Sequence, residues 1–119
     1  FSAYFLYMEQ AEHELFRHLG TSVLTKDDSG TISWPRVSAS CDYSRPVTFE
    51  DELQIDVGIA RLGEKSVTYQ FYFLKDDQQV AIGQITSVCC RLAHGQSPRP
   101  IVIPQSYVDL LTPYISAST

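Results

Sequence analysis

Most of the side chains in this chain that could do chemistry fail on spacing. Cys41, Cys89 and Cys90 make an odd count with no metal-like interval, and the two adjacent cysteines would point to opposite faces of a strand. Neither a disulfide framework nor a zinc site is suggested, and a reducing compartment is the natural reading. A nucleophilic Cys89 or Cys90 needs an imidazole to take its proton, and nothing in the sequence places His13, His18 or His94 beside either thiol. Both are therefore expected to be buried as small apolar residues. His13 and His18, five apart, share no helix face suited to metal ligation and are read as surface residues. Two groups are left. Glu9 and Glu12 are candidate carboxylates for acid–base work. Arg61, Lys65 and Ser66 cluster around a turn, where cations and exposed amides can meet phosphates.

The elements that must position these residues follow from periodicity. Tyr4, Met8, Ala11, Leu15 and Leu19 recur at spacings of four, three, four and four, with Glu9, Glu12, Glu14 and Arg17 on the remaining arc. This predicts an amphipathic helix of about five turns, with Ser2 at its start and Gly20 supplying the left-handed position that ends it. Residues 21–30 read as a polar, exposed connection. From Ile32 the period changes to two. Val37 to Tyr43 is a short strand ended by Pro46. Leu53, Ile55, Val57 and Ile59 alternate with smaller or polar residues, and Val67, Tyr69, Phe71 and Phe73 return antiparallel after the turn at Gly63. Asp76-Asp77 turns the chain into a run from Gln79 to Leu92, where Gly83 marks a bulge or a close backbone approach. Residues 94–100 are loop-like, and Pro104 to Leu111 closes with a strand tip and a short helix whose Val108 and Leu111 face inward. One helix followed by a meander of strands is an α+β layer, because neither element buries its apolar side alone. A partner subunit is the economical cover for the sheet edge left open.

The chain has 119 residues, 44% of them hydrophobic, with 14 acidic against 9 basic side chains and a net charge of −5. These figures describe one soluble domain over residues 1–119 and exclude a protein that wraps nucleic acid or an anionic membrane through its overall field. No apolar run approaches the roughly 18 residues that suggest a membrane span, and no segment resembles a signal peptide, so the cytoplasm is expected. The sequence opens on Phe1, without Met and already in helical pattern, so a segment upstream is expected to have been removed or left out.

Several stretches, in order along the chain, resemble the hotdog-fold acyl-CoA thioesterases of the 4-hydroxybenzoyl-CoA thioesterase type. Ala3-Tyr4-Phe5-Leu6-Tyr7-Met8-Glu9-Gln10-Ala11 looks like that family's helix opening, and Cys41-Asp42-Tyr43-Ser44-Arg45-Pro46 like the end of one of its strands. Phe49-Glu50-Asp51-Glu52-Leu53 matches the launch of its second long strand, Gly63-Glu64-Lys65-Ser66-Val67-Thr68 its turn, and Ile103-Pro104-Gln105-Ser106-Tyr107 its closing segment. The resemblance implies a helix wrapped by an antiparallel sheet, with the first strand of the fold missing from this chain. It implies hydrolysis of an acyl-coenzyme A thioester in a homodimer or homotetramer, with coenzyme A as part of the substrate, no metal and no other cofactor. The oxyanion donor is then the backbone N–H of Phe1 at the mouth of the helix, where free amides and the positive dipole end meet developing negative charge. The family's catalytic Asp lies in a loop before the position of Phe1, so the main carboxylate is expected upstream of Phe1. A second branch uses an acid on the helix itself, which makes Glu9 the candidate within this chain. Lys65 matches a basic residue of the family's nucleotide-binding turn, with Arg61 and Ser66 beside it, while Asp42 and Tyr43 hold strand and loop in place. Trp34 is a packing residue or part of the acyl pocket wall. The rival readings are a hotdog module that binds an acyl thioester without catalysis, and a hotdog thioesterase acting on carrier-protein-bound acyl chains.

Overall fold

The computed structural model describes residues 2–21, 24–27, 30–45, 52–93 and 95–115. The helix α1 occupies Ser2–His18. It ends at Gly20, whose φ of +79° lies in the left-handed region. There the Thr21 N–H bonds the Phe16 carbonyl and the Gly20 N–H that of Arg17, each at 3.0 Å, which satisfies carbonyls the helix leaves open. The strands are β1 Leu24–Asp27, β2 Gly30–Ser33, β3 Arg36–Tyr43, β4 Gln54–Leu62, β5 Ser66–Lys75, β6 Gln78–Val88, β7 Cys90–Leu92 and β8 Arg99–Pro100, followed by helix α2 Gln105–Leu111. They form two antiparallel sheets, ordered β3-β6-β5-β4 and β1-β2-β7-β8.

Strict alternation in β5 decides which face of the larger sheet receives α1. Val67, Tyr69, Phe71 and Phe73 are fully buried there, while Ser66, Thr68, Gln70 and Tyr72 turn to the other face. Each such side chain contributes roughly 1.5–3 kcal/mol on burial. Tyr4 packs edge-on against Phe73 and Tyr43, and Phe16 against Tyr69, so α1 starts over the Phe73 end of β5 and runs toward its Ser66 end. Trp34 lies between Phe16 and Tyr107 as a packing residue. β5 and β6 are joined by Asp76 and Asp77, both left-handed, the backbone a two-residue hairpin turn requires.

Three expectations are corrected. The segment taken as an exposed connection holds β1, which pairs with β2 and is tied to α2 by a 2.7 Å hydrogen bond between the Thr25 and Tyr107 hydroxyls. The single run from Gln79 to Leu92 is broken at Cys89, where the chain passes from the larger sheet into the smaller one. That crossing explains why Cys89 and Cys90 are both buried although neighbours on a strand alternate. Arg99 and Pro100, read as loop, pair with Cys90 and Arg91. In α2, Leu111 is buried as expected and Val108 packs partly buried, but Tyr107 is the second fully inward residue.

Glu12 is the largest correction. Periodicity places it on the solvent arc, yet it is 1% exposed. Its Oε1 accepts a hydrogen bond from Nη2 of Arg36, and its Oε2 one from the Ser87 hydroxyl at 3.4 Å. A register shift between Arg36 and Ser38 makes this possible. The extra residue turns Arg36 onto the α1 face opposite Ser87, while Ser38, opposite Thr86, turns away. Burial pushes the Glu12 carboxyl above its ordinary value of 4.5, although Arg36, His13 and Ser87 pull it back.

Gly83 is a site of close approach. A Cβ there would collide with Sδ of the fully buried Met8 and lie 3.3 Å from the Ser40 carbonyl oxygen. Gly83→Ala should destabilise by about 1–3 kcal/mol in urea unfolding, and adding Met8→Ala should cost less than the sum of the two single changes. Wild-type stability for Gly83→Ala would refute the contact. For Glu12, the raised carboxyl makes the folded state bind its proton more tightly than the unfolded state. Its contribution is therefore fully present below about pH 4.5 and lost as pH rises through the folded value. The melting temperature of wild type minus that of Glu12→Gln should fall as pH rises above about 4.5; a constant difference would rule the shift out.

Candidate active site

Phe1 lies outside the described residues. Glu9 projects from the flank of α1 that faces β3. Its side chain is 47% exposed, and its Oε2 lies 3.7 Å from Nη1 of Arg36, whose Nη2 bonds Glu12. One guanidinium thus serves two carboxylates on successive turns of α1, one half in solvent and one buried. Deeper in the same region, the Tyr69 hydroxyl and the Trp34 Nε1 are buried without a hydrogen-bond partner among the described residues. Burial and the nearby Glu12 carboxylate push the Tyr69 phenol far up, so it stays a neutral donor. Phe5, one turn earlier on α1, and Val37, next to Arg36 in β3, are both exposed. A carboxylate on such a surface can take a proton from water beside an apolar ligand.

The basic turn is built differently. The Gly63 N–H bonds the Ser66 carbonyl at 2.8 Å, the Cys89 N–H bonds the Lys65 carbonyl at 2.8 Å, and the Ile103 N–H bonds the Glu64 carbonyl at 2.9 Å. Two other segments thus pin the turn from below and leave the Lys65 side chain in solvent. Ser66 alternates with buried Val67, and Arg61 stands opposite Thr68 after a register shift, so both belong to the sheet face away from α1. Glu9 belongs to the α1 side. Within one chain, then, Arg61, Lys65 and Ser66 come together, and Glu9 and Arg36 come together, but the sheet lies between the two groups. The start of α1 is farther still: Tyr4 packs on Phe73, seven residues along β5 from Ser66, about 23 Å at the ordinary strand rise.

The cysteines stay chemically quiet. Burial, reinforced by the neighbouring Cys90, pushes the Cys89 thiol up to about 11, and burial also raises Cys90 and Cys41. A neutral thiol is a poor nucleophile. His13 and His18 are exposed, and His94 lies outside the described residues. Among the described residues no group of His, Cys, Asp and Glu could hold a metal ion, and no helix is long and apolar enough to cross a membrane. Sequence reasoning missed Arg36 and Ser87. Arg36 stands just before the strand read at Val37 to Tyr43, and only the bulge behind it, which has no signature in the residue types, aims it at the helix.

Comparison with known proteins places this geometry in context. Residues 1–109 match the model of the Thioesterase-like superfamily. The solved structure of the PA5185 protein from Pseudomonas aeruginosa superposes with a TM-score of 0.80 at 27% identity, over 99% of this chain and 80% of that one. The gentisyl-coenzyme A thioesterase BH1999 gives 0.75 at 26% identity, over 93% and 84% of the two chains. Slr0204, a 1,4-dihydroxy-2-naphthoyl-CoA thioesterase from Synechocystis, shares the fold at a TM-score of 0.78 and 18% identity, over 94% and 81%. A helix laid on an antiparallel sheet and a family match over residues 1–109 make this chain a member of the Thioesterase-like superfamily.

Proposed function

We propose that this protein hydrolyses acyl-coenzyme A thioesters, with Glu9 as the carboxylate this chain supplies. The observation that carries the reading is Glu9 itself, half in solvent beside Arg36 on the flank of α1, in a chain of the Thioesterase-like superfamily. Two relatives of the same fold are named for coenzyme A thioesters of aromatic acids, which favours coenzyme A over a carrier protein as the leaving group. In the reaction Glu9 takes a proton from water as the water oxygen bonds the thioester carbonyl carbon. The C–S bond then breaks, and the proton passes to the departing sulfur, giving a carboxylic acid and a free thiol. A backbone N–H at the start of α1, that of Phe1 in this reading, holds the carbonyl oxygen while it is negative; because Glu9 stands about 10 Å along the helix from that end, the two act on one substrate from different subunits.

Arg61, Lys65 and Ser66 meet the phosphates of the coenzyme in this reading. Because they lie across the sheet from Glu9, one active site takes its carboxylate from one subunit and its phosphate contacts from another, or the substrate passes around a sheet edge. β3 suits the first arrangement. It is the outer strand of its sheet, bonded among the described residues only to β6, and seven of its eight residues are exposed, so a second copy can add to it antiparallel. At the opposite edge β4 is bridged, among the described residues, by Ile115 at Ile59. A ≈730 Å³ groove between α1 and β4, lined by Tyr7, Ala11, Leu15, Ile55 and Val57, is the place for the first strand of a hotdog fold. A homodimer or homotetramer acting in the cytoplasm is the corresponding biological unit.

The deciding experiment is thiol release from short, long and aromatic acyl-coenzyme A thioesters, each compared with the same acyl group on pantetheine. Turnover with a preference for the coenzyme form is expected. Tight binding without turnover would make the protein a binding module, and equal rates on both forms would favour a carrier-protein substrate. Lys65→Ala should raise KM for acyl-coenzyme A severalfold and leave kcat nearly unchanged, since it removes binding shared by ground and transition states. An unaltered KM would take Lys65 out of the site.

A further inference from the structure

We infer that Arg36 is a positioning residue that fixes the Glu9 carboxylate at the open side of β3, with buried Glu12 as its anchor. The inference rests on the thioesterase reading, since it gives Arg36 a task only if Glu9 does chemistry. Glu12 is 1% exposed and bonded on its other oxygen to Ser87, itself fully buried, so its carboxylate is fixed in place. That in turn fixes the guanidinium plane of Arg36 through Nη2. The remaining terminal nitrogen, Nη1, then faces Glu9 Oε2 at 3.7 Å. The Glu9 side chain is otherwise half in solvent, and Phe5, one turn before it on α1, is an exposed apolar side chain. A planar guanidinium with separate donors can address two carboxylates in defined directions, whereas the single ammonium of lysine cannot do so in a fixed plane. The bulge between Arg36 and Ser38 is what turns this side chain inward, so the backbone irregularity and the ion cluster form one device.

Removing Arg36 alone would strand a buried carboxylate, so the test is made in a Glu12→Gln background, where the amide oxygen still accepts from Arg36 and Arg36→Met leaves no buried charge. Folding is followed by circular dichroism and thermal melting, and kcat and KM by thiol release from the acyl-coenzyme A that the wild type turns over best. Relative to Glu12→Gln, the added Arg36→Met should lower kcat by about tenfold while KM stays within about twofold, as loss of positioning does. Arg36→Lys in the same background should restore part of the loss, and it carries the comparison if the Arg36→Met variant does not fold. Glu9→Gln should bring the backgrounds with and without Arg36→Met to the same low rate, because Arg36 has nothing left to position. An Arg36→Met loss that persists in full after Glu9→Gln would overturn the assignment, as would an unchanged kcat in the folded variant. Full activity of Glu9→Gln would also overturn it while leaving thioester hydrolysis standing. A wild type that releases no thiol from any acyl-coenzyme A removes the thioesterase reading and the Arg36 role together.

Discussion

A carboxylate taken almost wholly out of water has to find a partner, and in this fold that requirement links the helix to the outermost strand of the sheet. Leaving Glu12 buried without Arg36 would cost about 3–5 kcal/mol, a large share of the stability of a domain this size. The apolar stripe of α1 could slide or roll against the row of Val67, Tyr69, Phe71 and Phe73 at modest cost, since hydrophobic burial is not directional. A carboxylate bonded to Arg36 on one oxygen and to Ser87 on the other cannot. The polar pair therefore sets where along the sheet the helix stops, and the packing of Tyr4 at one end and Phe16 at the other follows from that placement.

The pair also holds β3 in its working shape. Most of the contacts of β3 run through β6, and all of its residues but Cys41 are exposed, so little apolar burial keeps it against the helix. The Arg36 side chain reaches from this edge strand across to α1. Because the bulge that aims it also changes the parity of the strand, Ala39, Cys41 and Tyr43 come onto the helix side and Ser38, Ser40 and Asp42 onto the other. Tyr43 meets Tyr4 with ring centroids 4.7 Å apart, so the edge strand is fastened at its start by charge and at its end by aromatic contact. Between those two points it presents small residues and open hydrogen-bonding groups, the surface on which a strand from a second molecule can lie flat.

How much of this was legible in the sequence depends on whether a feature repeats. The helix was readable because five apolar positions agree on one face, and β5 because four large residues alternate with polar ones. Gly83 was readable as a close approach since a glycine inside a β-rich run needs a reason, and Met8 provides it. Glu12 was not readable. A charged residue at the border of an apolar stripe is assigned to solvent unless its partner is known, and that partner lies 24 residues away behind a bulge. The hairpin of β1 and β2 was hidden by polar composition, and the break at Cys89 by the unbroken β character of the residues on both sides. In each case a single tertiary contact overrode a local pattern.

The candidate site shows the same division. Arg61, Lys65 and Ser66 were brought together by chain proximity, which a turn guarantees, but proximity in sequence does not say which side of a sheet a residue takes. One register shift in β4, between Ile59 and Arg61, and the alternation of β5 put Arg61 and Ser66 on the face opposite the helix that carries Glu9. A sheet and a helix packed on it stand about 10 Å apart, and a substrate with an acyl group at one end and phosphates at the other is long enough to bend around an edge but not to pass through a filled core. The two edges are not equal in this respect. The β4 edge is flanked by an apolar groove that calls for backbone cover, whereas the β3 edge lies directly beside Glu9 and Arg36. In the proposed reading, a route joining the acid to the phosphate contacts therefore runs over β3, the outer strand at which a second subunit can add.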